Sequence, residues 1–159
     1  MEDIFVKQYE EIVRARKVML VFIEENLEAK FKDSVALFDN KSPCDLLIHT
    51  ANTYVYWLTI FALKETHMYW DVGKVSKIID IFKIYDQVDK IVDRFLTFLE
   101  NRYESNEFHG RLLGGQKICL GAIKIFTHVI THEFHHKGQI MTMCRFQGCV
   151  PPDTDIIRN

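Results

Sequence analysis

The chain of 159 residues predicts an all-α fold, a four-helix bundle, and three observations predict it. Glycine and proline are scarce, at seven and three residues. Long stretches repeat apolar side chains at three-four spacing, the period of a helix, with no convincing run of period-two strands. The apolar fraction of 48% is enough for one core, and no linker or internal repeat divides the chain. A single domain over residues 1–159 is the expectation.

From Ile4 to Leu27 the apolar positions Phe5, Tyr9, Ile12, Val13, Met19, Leu20, Ile23 and Leu27 make a long amphipathic helix, interrupted at Arg16. Residues 29–41 lose the pattern and read as a connection. Ser42-Pro43-Cys44-Asp45 then starts a second helix: Ser as N-cap, Pro at the first helical position, and Asp at N3 to complete a capping box. That helix should run to about Lys64. A third runs from about Lys74 to Asn101, with Val75, Ile78, Ile79, Phe82, Tyr85, Val88, Ile91, Val92, Phe95 and Leu99 on its stripe. Gly110, Gly114 and Gly115 mark a loop over 102–115, long enough to suggest a functional role. A fourth helix runs from about Cys119 to Phe146 and closes at Gly148, ahead of Pro151-Pro152.

Composition excludes several classes. Twenty basic and 22 acidic residues, scattered along the chain, give no field that favours nucleic acid. The longest nearly apolar stretch, Tyr54 to Leu63, is too short to span a bilayer, and the acidic start Met-Glu-Asp-Ile-Phe shows no signal peptide. Cys44, Cys119, Cys144 and Cys149 contain no C-x-x-C pair, which suits buried thiols in a reducing compartment. The expectation is a soluble, cytoplasmic protein without nucleic-acid or membrane partners.

Function is concentrated at residues 128–139, which hold four of the seven histidines. His128, His132 and His136 are spaced four apart, so on a helix they stack along one face. On a wheel His132 and His136 fall inside the apolar arc of Ile125, Val129, Ile140 and Met143, while His128 and His135 lie at its edge. The latter two read as polar edge residues, with orientation of the ligands as the other role open to them. On the second helix His49 sits centrally in a stripe of Leu46, Thr53, Tyr56, Trp57, Ile60 and Leu63. Three inward histidines on two helices make the three-ligand set with an open fourth position that catalytic metal sites use. Tyr56, two turns beyond His49, is placed to hydrogen-bond a ligand or substrate, although a core aromatic is the plainer reading. Glu133 is a candidate general base, turned about 100° from His132. His67 and His109 read as surface residues.

Two motifs are set aside. His132-Glu133-Phe134-His135-His136 is formally H-E-x-x-H, but Gln139 and Thr142 occupy the positions where the metzincin extension needs glycine and histidine, and no glutamate follows Glu133. Glu133-x-x-His136 is half of a di-iron bundle motif whose second half is missing.

The segment His128-Val-Ile-Thr-His132-Glu-Phe-His-His136-Lys-Gly-Gln-Ile140, with Gly148 and Pro151-Pro152-Asp153 behind it, closely resembles the DinB/YfiT-like family. The similarity extends to Asp45-Leu-Leu-Ile-His49 and covers essentially the whole chain. The resemblance implies an up-down-down-up four-helix bundle and one divalent metal ion, zinc or nickel, held by His49, His132 and His136. It also implies a homodimer. Family members include metal-dependent transferases that use low-molecular-weight thiols, a group assigned as hydrolases and damage-induced proteins. Lys137 replaces the arginine common before Gly-Gln, which removes a bidentate fork. The expected function is therefore a metal-dependent enzyme of thiol-transferase type, or a hydrolase, acting on a small-molecule substrate. The alternative is a non-catalytic metal-binding stress-response bundle.

Overall fold

The computed structural model describes residues 2–100, 107–112 and 114–157. These are mostly helical, with four long α-helices and a small two-stranded sheet: α1 (Glu2–Leu27), α2 (Pro43–Tyr54), α3 (Ile78–Glu100), β1 (Glu107–Arg111), β2 (Lys117–Gly121) and α4 (Ala122–Phe146). The principal packing contacts form a ring in which α1 touches α3 and α4, and α2 touches the same two. One cluster of buried apolar side chains runs through all four helices, from Phe5 and Ile23 through Leu47 and Leu58 to Val92 and Phe126. No helix among the described residues is long and apolar enough to cross a membrane.

The stripe expected for α1 is buried from Phe5 to Leu27. Between α1 and α2 the chain turns tightly, with Val35 bridged to Lys41 and Asp39 and Asn40 in the left-handed region that short polar side chains tolerate. The α2 start is the expected capping box: Ser42 Oγ accepts from the Asp45 amide at 3.1 Å, and Asp45 Oδ2 accepts from the Ser42 amide at 2.8 Å.

Three boundaries differ from the sequence expectation. The second helix is not α-helical to Lys64; from Val55 to Ala62 it widens to a π-helix, relieving a run of β-branched and aromatic side chains that crowd an α-helical turn. Helix α3 begins at Ile78 rather than Lys74, because Asp80 Oδ2 accepts from the Ser76 and Lys77 amides and fixes the first turn there. Residues 119–121, expected at the start of the last helix, belong instead to β2, which pairs antiparallel with β1 and leaves α4 to start at Ala122. Strands were not expected. Each is only five residues long, too short for the period-two pattern to stand out. The part of the expected 102–115 loop spanning 102–106 and 113 lies outside the described residues. At its far end α4 closes as expected, with Gly148 at φ +90° and the Cys149 amide donating to the Cys144 carbonyl at 3.0 Å.

The hairpin is pinned to the helices. Phe108 is buried, with its ring centroid 5.8 Å from Phe95 and 6.2 Å from Phe98. The Tyr56 hydroxyl donates to the Arg111 carbonyl at 3.4 Å, and the Lys64 ammonium donates to the His109 carbonyl. Gly110 lies so close to Phe61 that an added Cβ would fall 2.4 Å from the ring. Phe61 is buried and has little room to yield, so Gly110→Ala is expected to destabilise the protein by about 1–3 kcal/mol in urea unfolding.

Candidate metal centre

His49, His132 and His136 come together. Their ring nitrogens lie within 4.8 Å of one another, and His132 Nε2 is 3.1 Å from His49 Nε2. Ring centroids are 5.0 Å apart for His49 and His132, 4.9 Å for His49 and His136, and 4.5 Å for His132 and His136. Two nitrogens bound to one tetrahedral zinc stand about 3.3 Å apart, since each is about 2.0–2.1 Å from the ion. The 3.1 Å separation and the all-imidazole donor set therefore fit a divalent ion of the zinc class.

The histidines do not project into the core, as the helical wheels implied. They meet at the rim of the α2–α4 contact, with His49 exposed and His132 and His136 half-buried. The buried side of α2 is Cys44, Leu47, Ile48, Ala51 and Tyr54, and His49 points away from it. Periodicity misplaced this face because Leu46, Trp57, Ile60 and Leu63, the apolar stripe that holds His49, are themselves only half-buried at the edge of the core. On α4 the buried arc includes Glu133 and Lys137, which look like solvent-facing residues in sequence and drew the apparent centre of the arc towards the histidines.

Desolvation lowers the pKa of His132 to about 4, helped by the neighbouring imidazoles of His136, His49, His128 and His135. His49 is also lowered, by desolvation and then by the Lys41 charge; His136 is lowered chiefly by desolvation. Neutral imidazoles are the form that binds metal, and these shifts favour it at neutral pH. His136 Nδ1 donates to Gln139 Oε1 at 2.6 Å, which leaves Nε2 with its lone pair. Gln139 was missed in the sequence, although an i, i+3 glutamine beside a candidate ligand is the available signal. Gln139→Leu is expected to weaken zinc affinity about 10–100-fold in a chelator-competition titration, with the fold unchanged.

His128 stacks its ring edge-on to Trp57 of the π-helical segment at 5.1 Å and lies 5.6 Å from His132; His135 is 5.0 Å from His136 and exposed. His67 and His109 are exposed, as expected. A cleft of about 520 Å³ opens beside His49 and His136, walled by Lys41, Asn52, Trp70 and Asp71. The Asn52 amide grips the Trp70 backbone through two hydrogen bonds of 2.9 Å, which holds that wall in place.

Glu133 faces the buried side of α4 rather than the open rim. It is 3% exposed and accepts from Arg16 Nε at 2.7 Å, Arg16 Nη2 at 3.1 Å and the Tyr54 hydroxyl at 2.6 Å. Arg16, which looked like an interruption in the α1 stripe, is the buried partner. Its Nη1 donates to Asp89 at 2.6 Å, and its guanidinium lies 4.5 Å from the Tyr85 ring centre. Burial opposes the Arg16 charge, yet the Glu133 carboxylate overrides it and holds the pKa above its ordinary value. Lys137 is also buried, with its ammonium donating to the Thr154 carbonyl and 3.9 Å from the Phe134 ring centre, so it fastens the tail to α4.

All four cysteines are free thiols. Cys44 and Cys144 are buried as expected, and desolvation pushes them up to about 11 and about 12. Cys119 is exposed and Cys149 half-buried, contrary to the sequence reading, because strand β2 turns Cys119 outward.

The sequence model of the DinB family matches residues 1–159, the whole chain. No curated protein matches the sequence.

Proposed function

The chain belongs to the DinB family over its full length, and from that premise we propose a metal-dependent enzyme of thiol-transferase type, with His49, His132 and His136 holding one divalent ion, zinc or nickel. The observation that carries this reading is the convergence of three imidazoles at an open rim beside a cleft. A structural ion is normally closed off by a fourth protein ligand, whereas a catalytic one keeps a position open to solvent. When bound, the ion would supply Lewis acidity that lowers the pKa of a thiol, or of water in the hydrolase version of the same reading.

The remaining chemistry belongs to the chain. Gln139 orients His136 by accepting from Nδ1, and His132 is kept neutral by the desolvation and imidazoles around it. Asn52 fixes the Trp70 wall against which a small electrophile would rest, and Lys41 lines the cleft where an anionic substrate group would meet a positive charge. Glu133 has the surroundings of an ion-pair partner for Arg16, and we assign it that role in place of general base. The same reading includes one domain, the up-down-down-up bundle, a homodimer and a cytoplasmic setting. The ring of helix contacts supports the bundle, and family membership supports the rest.

The test is incubation of the zinc- or nickel-loaded protein with glutathione, cysteine or a thiol sugar and a chlorinated aromatic electrophile, read by mass spectrometry. A thioether product that requires both metal and His132 is expected. No metal-dependent product across the panel would contradict the transferase reading.

A further inference from the structure

A second group of metal-ligating side chains lies on the hairpin and does not depend on the histidine triad. Glu107 and His109 are two residues apart on β1, so they share one face, and Cys119 sits directly opposite His109 in the ladder. All three are exposed, while Phe108 between them points the other way into the core. Their donor atoms lie within 4.8 Å of one another. Cys119 Sγ is 3.8 Å from His109 Nε2, and the thiol also hydrogen-bonds the Glu107 side chain.

The arrangement is held from beneath. A one-residue slip of β2 would send Cys119 to the buried face; β1 is pinned by Phe108 against Phe95 and Phe98 and by the close approach of Gly110 to Phe61, and the Leu112 amide, donating to the Gln116 carbonyl at 3.0 Å, holds β2 in register with it. The backbone under His109 is tied down by Lys64, which donates to its carbonyl. The three donors therefore stand on a fixed strand pair whose spacing was set before any ligand arrived.

We propose that Glu107, His109 and Cys119 form a second divalent-cation site, specific for zinc-class ions. One thiolate, one imidazole and one carboxylate are the ligand types that zinc and cobalt take in four-coordinate sites, with solvent completing the set. Calcium and magnesium prefer all-oxygen shells and are disfavoured by the sulfur and nitrogen donors. Binding forms a sulfur–metal bond and releases the thiol proton to solvent, with no change of oxidation state.

Cobalt(II) titration of reduced, tag-free protein under anaerobic conditions tests this, because a thiolate–cobalt bond gives a near-ultraviolet charge-transfer band that an all-histidine site lacks. His49→Ala is expected to develop the band fully within one equivalent and wild type within two, since its three imidazoles also take cobalt, and zinc is expected to bleach it. Cys119→Ser is expected to lose the band entirely, and His109→Ala to need at least about tenfold more cobalt to develop it. Both substituted side chains are exposed, and unchanged far-ultraviolet circular dichroism would verify their folds. No band in wild type, or an equal band in Cys119→Ser, would overturn the proposal.

Discussion

Glu133→Ala is expected to cost about 3–4 kcal/mol of folding stability, because it leaves the Arg16 guanidinium buried without its main partner. Both charges are removed from water, with Arg16 and Glu133 each 3% exposed. Loss of one partner of such a pair typically costs about 3–5 kcal/mol. The lower half of that range applies because Asp89 still accepts from Arg16 Nη1 at 2.6 Å from a side chain open to solvent. The Tyr54 hydroxyl loses its acceptor as well. Urea unfolding of Glu133→Ala, Arg16→Met and the double variant measures the coupling. The double variant should recover part of the loss, since no charge is left stranded, while the space vacated at residue 133 and the Tyr54 hydroxyl keep the rest. Glu133→Gln separates the two roles of this residue. An ion-pair partner loses stability and keeps metal-dependent turnover in the folded fraction, whereas a general base loses turnover at unchanged stability.

His132→Ala has the second large effect, on metal rather than on folding. In the proposed site His132 is the central ligand, 3.1 Å from His49 across the helix contact and adjacent to His136 along α4. Even residues that only orient a ligand are worth about 10–100-fold in metal affinity, so removal of a ligand should cost at least about 100-fold. The thermal consequence follows by mass action. Zinc at one hundred times its dissociation constant stabilises the wild type by about 2.7 kcal/mol, and a 100-fold loss of affinity reduces this to about 0.4 kcal/mol. Differential scanning fluorimetry with and without zinc, both proteins carrying Cys119→Ser so that the hairpin does not contribute, reads the difference. An equal zinc-induced shift in both proteins would mean that the ion binds elsewhere.

The parts of the fold that local chemistry determines were legible in the sequence. Ser42-Pro43-Cys44-Asp45 carries its own capping geometry, and the turn at Gly148 and the α1 stripe follow from residues close together in the chain. The i, i+4 spacing of His132 and His136 needed only a helix, while pairing them with His49 required two helices to pack side by side. The sequence could not show which way those faces turn. The apolar stripe that holds His49 lies only half-buried at the edge of the core, and the buried side of α4 contains Glu133, whose partner Arg16 lies 117 residues away. A long-range ion pair leaves no periodic signal, so a core position looked exposed and an exposed histidine looked buried. The hairpin was hidden for a different reason. Its strands are five residues long, and what fixes them is contact with Phe61, Phe95 and Phe98 rather than their own pattern.

The central claim, that helices α2 and α4 jointly hold one divalent ion, is tested most directly by metal content. Elemental analysis of tag-free, zinc-loaded and desalted protein should compare Cys119→Ser with Cys119→Ser/His49→Ala, so that the hairpin does not contribute. About one equivalent in the first protein and almost none in the second is the predicted result. Equal metal in both, or none in either, would contradict it and reduce the three imidazoles to polar residues at a helix rim.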